Sequence, residues 1–357
     1  MAGSETDYEQ IYGDTFADYG RHDMGEFIQP LVTRFSVNGL QPDELFAGKR
    51  CLDAGCGNGR GVLFMATNGA AEIEALDFSE TNVASTRRFA SEYGFKNVTV
   101  RQGTIEALPF EDESFDFVWC NGVLMHTAHP NKCVSELARV LKPGAKSWIY
   151  VYGAGGIYWR TVQHLRALMK GIAVSRCQTM LKLMRYEPRY IAEFIDDWYA
   201  VHLRTYTAID LEARLRAVGF ERTERLRFGV DYDTSQRRFT ATSLVEQEMM
   251  GEGDLRYLLT KAGKPVSGAE ALLDEGEFGS TYEWPASVDK VEPAFEVFTS
   301  AVGTSNWSRV AAGAHLQREL RLLLSRDGDF DLPAFLAHID RIARLARDLE
   351  DRRDSVV

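Results

Sequence analysis

The densest chemistry in the chain lies in the run Cys51-Leu52-Asp53-Ala54-Gly55-Cys56-Gly57-Asn58-Gly59-Arg60-Gly61. An apolar strand ends in an acid, and a glycine-rich turn then leads into a helical pattern. Glycine lets backbone approach a ligand with no Cβ in the way. A turn that holds a pyrophosphate follows GxGxxG against a helix N-terminus. Here the third glycine is out of that spacing, and the carboxylate of Asp53 stands two positions before the first. A negative charge at that point suits a cationic ligand better than a diphosphate. The ammonium and sulfonium of S-adenosylmethionine carry such charge. A second acid, Asp77, ends the next apolar run. A carboxylate there accepts hydrogen bonds from both hydroxyls of a ribose. The competing readings are a tight turn that binds nothing, a nicotinamide dinucleotide site, and Asp77 as a plain helix cap.

These acids need a frame, and the hydropathy pattern supplies one. Short apolar strands at Arg50–Ala54, Glu72–Asp77, Val98–Gln102, Phe115–Asn121 and 147–152 alternate with helical stretches at 60–68, 80–93 and 131–140. That alternation predicts βαβ units and a parallel sheet. The run FDFVWCN is almost continuously apolar and reads as a strand buried on both faces. Residues 1 to about 30 carry a helical pattern with Tyr8, Tyr12, Phe16, Tyr19 and Phe27, and a second short helix is expected over 27–35. From 153 to about 203 the pattern turns to long helical stretches rich in Arg, Met, Tyr and Trp, an insertion after the fifth strand. A helix over 208–218, a strand over 220–228 and an antiparallel strand at Asp254–Lys261 follow. The remainder, 264–357, reads as helical and ends in an amphipathic stripe. The expected division is a helical cap over 1–45, a cofactor-binding domain over 46–262, and a helical extension over 263–357.

Composition narrows the partners. Lys plus Arg total 41 against 52 Asp plus Glu, a formal charge of −11. Such a surface repels phosphate backbones at long range and argues against nucleic acid. The five cysteines show no CxxC spacing, so buried thiols are expected and no metal site or disulfide framework. Reduced thiols fit a cytoplasmic protein, the polar, acidic start does not read as a signal peptide, and no apolar run is long enough to span a membrane.

Taken in order, DAGCGNG, LDFSE, GTIEALPF, ESFDFVWCNGVLMH and ELARVLKPGA resemble the class I, Rossmann-like methyltransferases that use S-adenosylmethionine. Within these, they are most similar to the group of ubiquinone and menaquinone methyltransferases and natural-product enzymes, methyltransferase type 11. The likeness covers roughly 45–155 and, more loosely, 196–228. It implies an α/β fold: a Rossmann-like, seven-stranded, mostly parallel sheet flanked by helices, with a helical insertion after strand five and a helical C-terminal extension. It also implies that the backbone at Gly55 and the turn around Gly57 and Gly59 hold the methionine part, beside the Asp53 carboxylate read above, with Asp77 on the ribose and Phe78 flanking the adenine. In the third loop, Gly103-Thr104-Ile105-Glu106, Thr104 stands where the family usually has an acid near the adenine amine, so that contact would pass to a hydroxyl, with Ile105 beside it. Asn121 is expected to face the methionine end, and Tyr19 to close over the cofactor.

The acceptor would border whatever follows strands four and five. His126 and Tyr152 are therefore the candidate catalytic residues. An imidazole titrates near neutrality and can take a proton from an acceptor hydroxyl or amine. His126 could equally order its loop or pack on the cofactor, while His129, before Pro130, reads as a helix cap. Candidate substrate contacts are Tyr12, His126, Tyr158, Trp159, Arg189 and Trp198, although core packing and ion pairs explain such residues as well. A small-molecule acceptor is expected. The alternatives are a macromolecular acceptor, or a cofactor-binding protein without turnover. The C-terminal helices would pack on the parent domain or form a homodimer. Arsenite as acceptor is discounted, because the cysteines are scattered.

Overall fold

The computed structural model describes residues 21–226, 251–262, 286–325 and 332–354, with Ile11 and Gly13. Tyr12 and Tyr19 lie outside the described residues. The strands are β1 (Arg50–Ala54), β2 (Glu72–Asp77), β3 (Val98–Gln102), β4 (Phe115–Asn121), β5 (Leu141–Tyr152), β6 (Phe220–Arg225) and β7 (Asp254–Lys261). The early helices are α1 (Arg21–Val37), α2 (Pro42–Phe46), α3 (Arg60–Thr67), α4 (Glu80–Glu92) and α5 (Pro130–Val140). After β5 come α6 (Gly156–Met169), α7 (Val174–Leu183), α8 (Pro188–Tyr199) and α9 (Ala208–Ala217). The chain then adds α10 (Ala286–Ala301), α11 (Asn306–Ser325) and α12 (Leu332–Asp354).

All seven strands form one sheet in the order β3-β2-β1-β4-β5-β7-β6. The first five run parallel, and β7 lies antiparallel between β5 and β6. This is the mostly parallel sheet that the alternation predicts. Two details differ from the sequence reading. Strand β5 starts at Leu141, ahead of the expected 147, because Leu141 pairs with Phe115 and Lys146 with Phe117 across a register shift. Pro143 has no amide to donate and Gly144 sits at φ +75°, so the bulge takes up the intervening residues without ending the strand. Helix α1 is also longer than the expected 27–35, running through Pro30.

Among the described residues the chain divides into two compact units. One holds the sheet with α1–α5 and α9; the other holds α6–α8 and α10–α12. In the first unit the sheet buries both faces. One face packs Leu137, Leu141, Tyr206, Leu211 and Phe220 around Ile149 and Tyr257. On the other face the aromatic rings stack. Trp148 lies on Trp119 at 4.8 Å with the rings 9° apart, and Phe35 of α1 covers Trp148 at 5.5 Å and 13°. Trp148 is fully buried. Its truncation to Ala is expected to lower unfolding free energy by about 3–5 kcal/mol, read as a lower urea midpoint. A midpoint within error of wild type would contradict this packing.

In the second unit, the helices of the insertion pack with the C-terminal helices. The Arg160 guanidinium on α6 meets Glu292 of α10 with two contacts of 2.8 Å, and the His164 ring stacks on Phe295 at 4.6 Å. No helix among the described residues is long and apolar enough to cross a membrane.

Candidate cofactor site

The strand order reverses between β1 and β4: β2 and β3 lie to one side of β1, while β4 and β5 lie to the other. Beyond the carboxyl ends of strands at such a switch point, open α/β sheets leave a crevice for ligands. Asp53 is next to last in β1, and β2, β4 and β5 end in Asp77, Asn121 and Tyr152. The parallel pairing therefore brings all four residues to the same edge of the sheet.

The turn after β1 is tied down by backbone. The amides of Gly55 and Cys56 both donate to the Leu76 carbonyl, at 2.8 and 3.0 Å. Gly55 sits at φ +92°, and a Cβ there would run into the Val123 side chain. The position is closed to other residues by conformation and by space. The Gly57 amide donates to Asp77 Oδ2 at 2.8 Å. Asp77 Oδ1 accepts from the Ser79 amide at 3.0 Å and from Asn82 Nδ2 at 3.1 Å. Helix α4 is capped by Ser79, whose hydroxyl accepts from the Asn82 amide at 3.1 Å. The plain helix-cap reading thus passes to Ser79, and Asp77 joins the two turns.

Asp53 is 2% exposed, and its Oδ2 has no hydrogen-bond partner. The first turn of α3 presses on it: a Cβ on Gly61 would stand 2.5 Å from that oxygen. Burial first, and then the charge of Asp77, push the Asp53 carboxyl up to about 7, against the opposing pull of Arg60 and the Val62 amide. A buried carboxylate oxygen without a donor carries a large desolvation cost unless a cation approaches.

Phe78 is a large apolar residue left 43% exposed. The Thr104 hydroxyl accepts from the Glu106 amide at 3.2 Å, while the Ile105 side chain is buried in the core. Asn121 Oδ1 accepts from the Trp148 indole at 2.9 Å, which leaves the amide nitrogen of Asn121 as its donor end. His126, in a single 3₁₀ turn after β4, is buried and meets the Tyr152 ring edge-on at 5.7 Å. His129 occupies the N-cap position of α5, but its side chain makes no cap bond; its amide instead donates to Glu106 at 3.0 Å.

The remaining expected substrate contacts lie in the second unit. The Tyr158 hydroxyl donates to Asp197 Oδ2 at 2.7 Å, and Gln317 Nε2 donates to the same oxygen at 2.6 Å. The Trp198 indole donates to Gln317 Oε1 at 2.6 Å. This buried network fastens α6, α8 and α11 to one another. Trp159 packs edge-on against Tyr158, and Arg189 lies over the Tyr190 ring and beside Glu187. The five cysteines are buried and unpaired. Burial raises every thiol, to about 12 at Cys51, Cys133 and Cys177, which leaves them inert near neutral pH. Among the described residues no group of His, Cys, Asp and Glu stands close enough to hold a metal ion.

The sequence reading missed three supports of this site. Ser79 and Asn82 brace Asp77, and the Ser-x-x-Asn pattern that opens α4 is a legible cap signal. Trp148, which orients Asn121, reads from sequence as core only.

Residues 52–149 match the family model of a methyltransferase domain. The methyltransferase YcgJ of Bacillus subtilis is 39% identical over 103 residues, 29% of this chain and 40% of that protein. The 27-O-demethylrifamycin SV methyltransferase of Amycolatopsis mediterranei is 31% identical over 142 residues, 39% of this chain and 51% of that protein. A ubiquinone biosynthesis O-methyltransferase of Paracidovorax citrulli is 34% identical over 115 residues, 32% of this chain and 46% of that protein. The chain thus spans about half the length, or less, of the curated relatives it matches. The solved structure of YcgJ aligns over 68% of this chain and 95% of its own at 22% identity, with a TM-score of 0.39.

Proposed function

We propose that this chain transfers a methyl group from S-adenosylmethionine to a small-molecule acceptor, by direct displacement in an enclosed site. The observation that carries the reading is the buried, unpartnered oxygen of Asp53, beside Asp77 at the switch point of a methyltransferase-type sheet. Positive charge on the ligand would supply what that oxygen lacks. The glycine turn, closed to a side chain at Gly55, and the first turn of α3, closed at Gly61, form the cradle such a ligand requires. Two of the relatives named above carry a small molecule in their names, demethylrifamycin SV and ubiquinone, and the chain's formal charge of −11 opposes a nucleic-acid acceptor.

The residues then divide the work. Asp53 balances the cationic methionine end. Asp77, which accepts from the Gly57 amide, the Ser79 amide and Asn82 Nδ2, ends β2 where the ribose hydroxyls would lie. Phe78 offers its exposed face to the adenine, with Thr104 at the ring edge. Asn121, its oxygen taken by Trp148, offers N–H to the methionine carboxylate. The cofactor supplies a methyl group on a good leaving group, so alignment of the acceptor provides most of the rate. His126 and Tyr152 border the acceptor, with His126 receiving the proton of its hydroxyl or amine.

The test is transfer of tritiated methyl from S-adenosylmethionine into a metabolite extract, with Asp53→Ala as control. Labelled product from the wild type alone is expected. Equal label from both proteins, or none from either, would count against the proposal.

A further inference from the structure

His126 has a feature that its position in the sequence does not suggest. Its Nδ1 lies 3.0 Å from the carbonyl oxygen of His202, 76 positions along the chain. A backbone carbonyl has no proton to give, so this contact is a hydrogen bond only when Nδ1 carries the proton. In the neutral ring the lone pair then resides on Nε2.

The His202 carbonyl is held in place by the segment that follows it. The Arg204 amide donates to the Met125 carbonyl at 3.1 Å. The Arg204 guanidinium donates through Nη1 to the Thr127 carbonyl and through Nη2 to the Ala128 carbonyl, the latter at 3.3 Å. Two residues on, the buried Tyr206 donates its amide to the Tyr152 carbonyl at 2.9 Å and its hydroxyl to the Leu124 carbonyl at 3.3 Å. The segment thus takes the carbonyls of Leu124, Met125, Thr127 and Ala128, all around His126, and that of Tyr152. Arg204 is at the centre of this clasp, and its planar guanidinium reaches two carbonyls at once, which a lysine ammonium on a flexible stem does less well.

We infer that Arg204 is a positioning residue: it clamps the 202–206 segment on the loop after β4, so that the His202 carbonyl fixes His126 as the Nδ1–H tautomer with the lone pair on Nε2. The inference rests on the proposed methyl transfer only for the use made of that lone pair, which is acceptance of the proton an acceptor hydroxyl or amine must shed. The tautomer itself is a property of the protein without ligands. An imidazole left to solvent favours the opposite tautomer, with the proton on Nε2, so the clasp has a detectable consequence.

The experiment is long-range proton–nitrogen correlation NMR on the full chain labelled with ¹⁵N-histidine at pH 8. The His126 signals are assigned by their loss in His126→Gln. Wild type is expected to show His126 as one tautomer, with pyrrole-type Nδ1 and pyridine-type Nε2. Arg204→Ala is expected to show a mixture of tautomers, and Arg204→Lys a smaller admixture. A wild-type ring protonated on Nε2, alone or together with Nδ1, would overturn the inference. So would variant spectra indistinguishable from wild type. If Arg204→Ala does not fold, Arg204→Lys carries the comparison with the same two outcomes. Calorimetry with S-adenosylhomocysteine on the same samples separates the two ideas. No binding by wild type would remove the methyl-transfer reading while leaving the tautomer result intact.

Discussion

Replacing Asp53 with Asn is expected to abolish S-adenosylhomocysteine binding and yet make the ligand-free protein more stable at pH 8. The binding loss follows from charge. Removing one partner of a buried charge pair costs on the order of 2–5 kcal/mol, an affinity loss of ~30-fold or more. The stability gain follows from the raised carboxyl of Asp53, at about 7 in the fold against an ordinary value of 3.8. An acid raised on folding contributes stability that is fully present below its unfolded value and is lost as pH rises through its folded value. Wild type therefore loses stability from this group between about pH 4 and pH 7, on the order of 4 kcal/mol at most. The Asn variant, always neutral, does not. Thermal denaturation at pH 8 should place the variant's midpoint above that of wild type, and the two should converge near pH 4. A variant less stable than wild type at pH 8 would mean that Asp53 is already matched by a positive group. The same titration makes cofactor affinity in the wild type fall as pH drops below about 7, where Asp53 becomes neutral.

Replacing Asp77 with Asn is expected to remove binding just as thoroughly, but with the opposite effect on the fold. Asp77 accepts from three donors: the Gly57 amide, the Ser79 amide and Asn82 Nδ2. An asparagine turns an NH₂ group toward at least one of them. An unmet buried donor costs about 1–3 kcal/mol, and the loss falls on the bond that links the glycine turn to β2. The ligand-free Asp77→Asn protein should therefore melt below wild type. Its affinity for S-adenosylhomocysteine should drop ~100-fold, through loss of the ribose acceptor and of the turn's anchor. Calorimetry and thermal denaturation on the two variants give a signed pair: binding lost in both, stability up in one and down in the other. An Asp77→Asn protein as stable as wild type would contradict the three-donor arrangement.

Much of the sheet was legible because short apolar strands and amphipathic helices differ in period, and β1 to β4 alternate cleanly between them. The glycine turn and its two acids were legible because each needs a particular residue type at a particular strand end. Strand β5 was cut short in the sequence reading because Pro143-Gly144 looks like a stop. Only its pairing with Phe115 across a bulge shows that the strand continues. The burial of Asp53 was not legible, since it depends on how closely Gly61 of α3 approaches it. The partners of Tyr158 and Trp198 were hidden for another reason. Gln317 stands more than a hundred residues away, in a segment whose pattern says helix and nothing about where its one buried amide goes. Arg204 belongs to the same class. His-Leu-Arg-Thr carries no periodicity and no motif, and its meaning lies in the carbonyls that it meets.

The most direct measurement is calorimetric titration of S-adenosylhomocysteine into the wild-type chain at pH 8 and again at pH 6. Saturable heat at one site, with weaker affinity at the lower pH, is the expected result. No heat at either pH, or an affinity that rises on acidification, would contradict a nucleoside whose ammonium meets Asp53 and whose ribose meets Asp77.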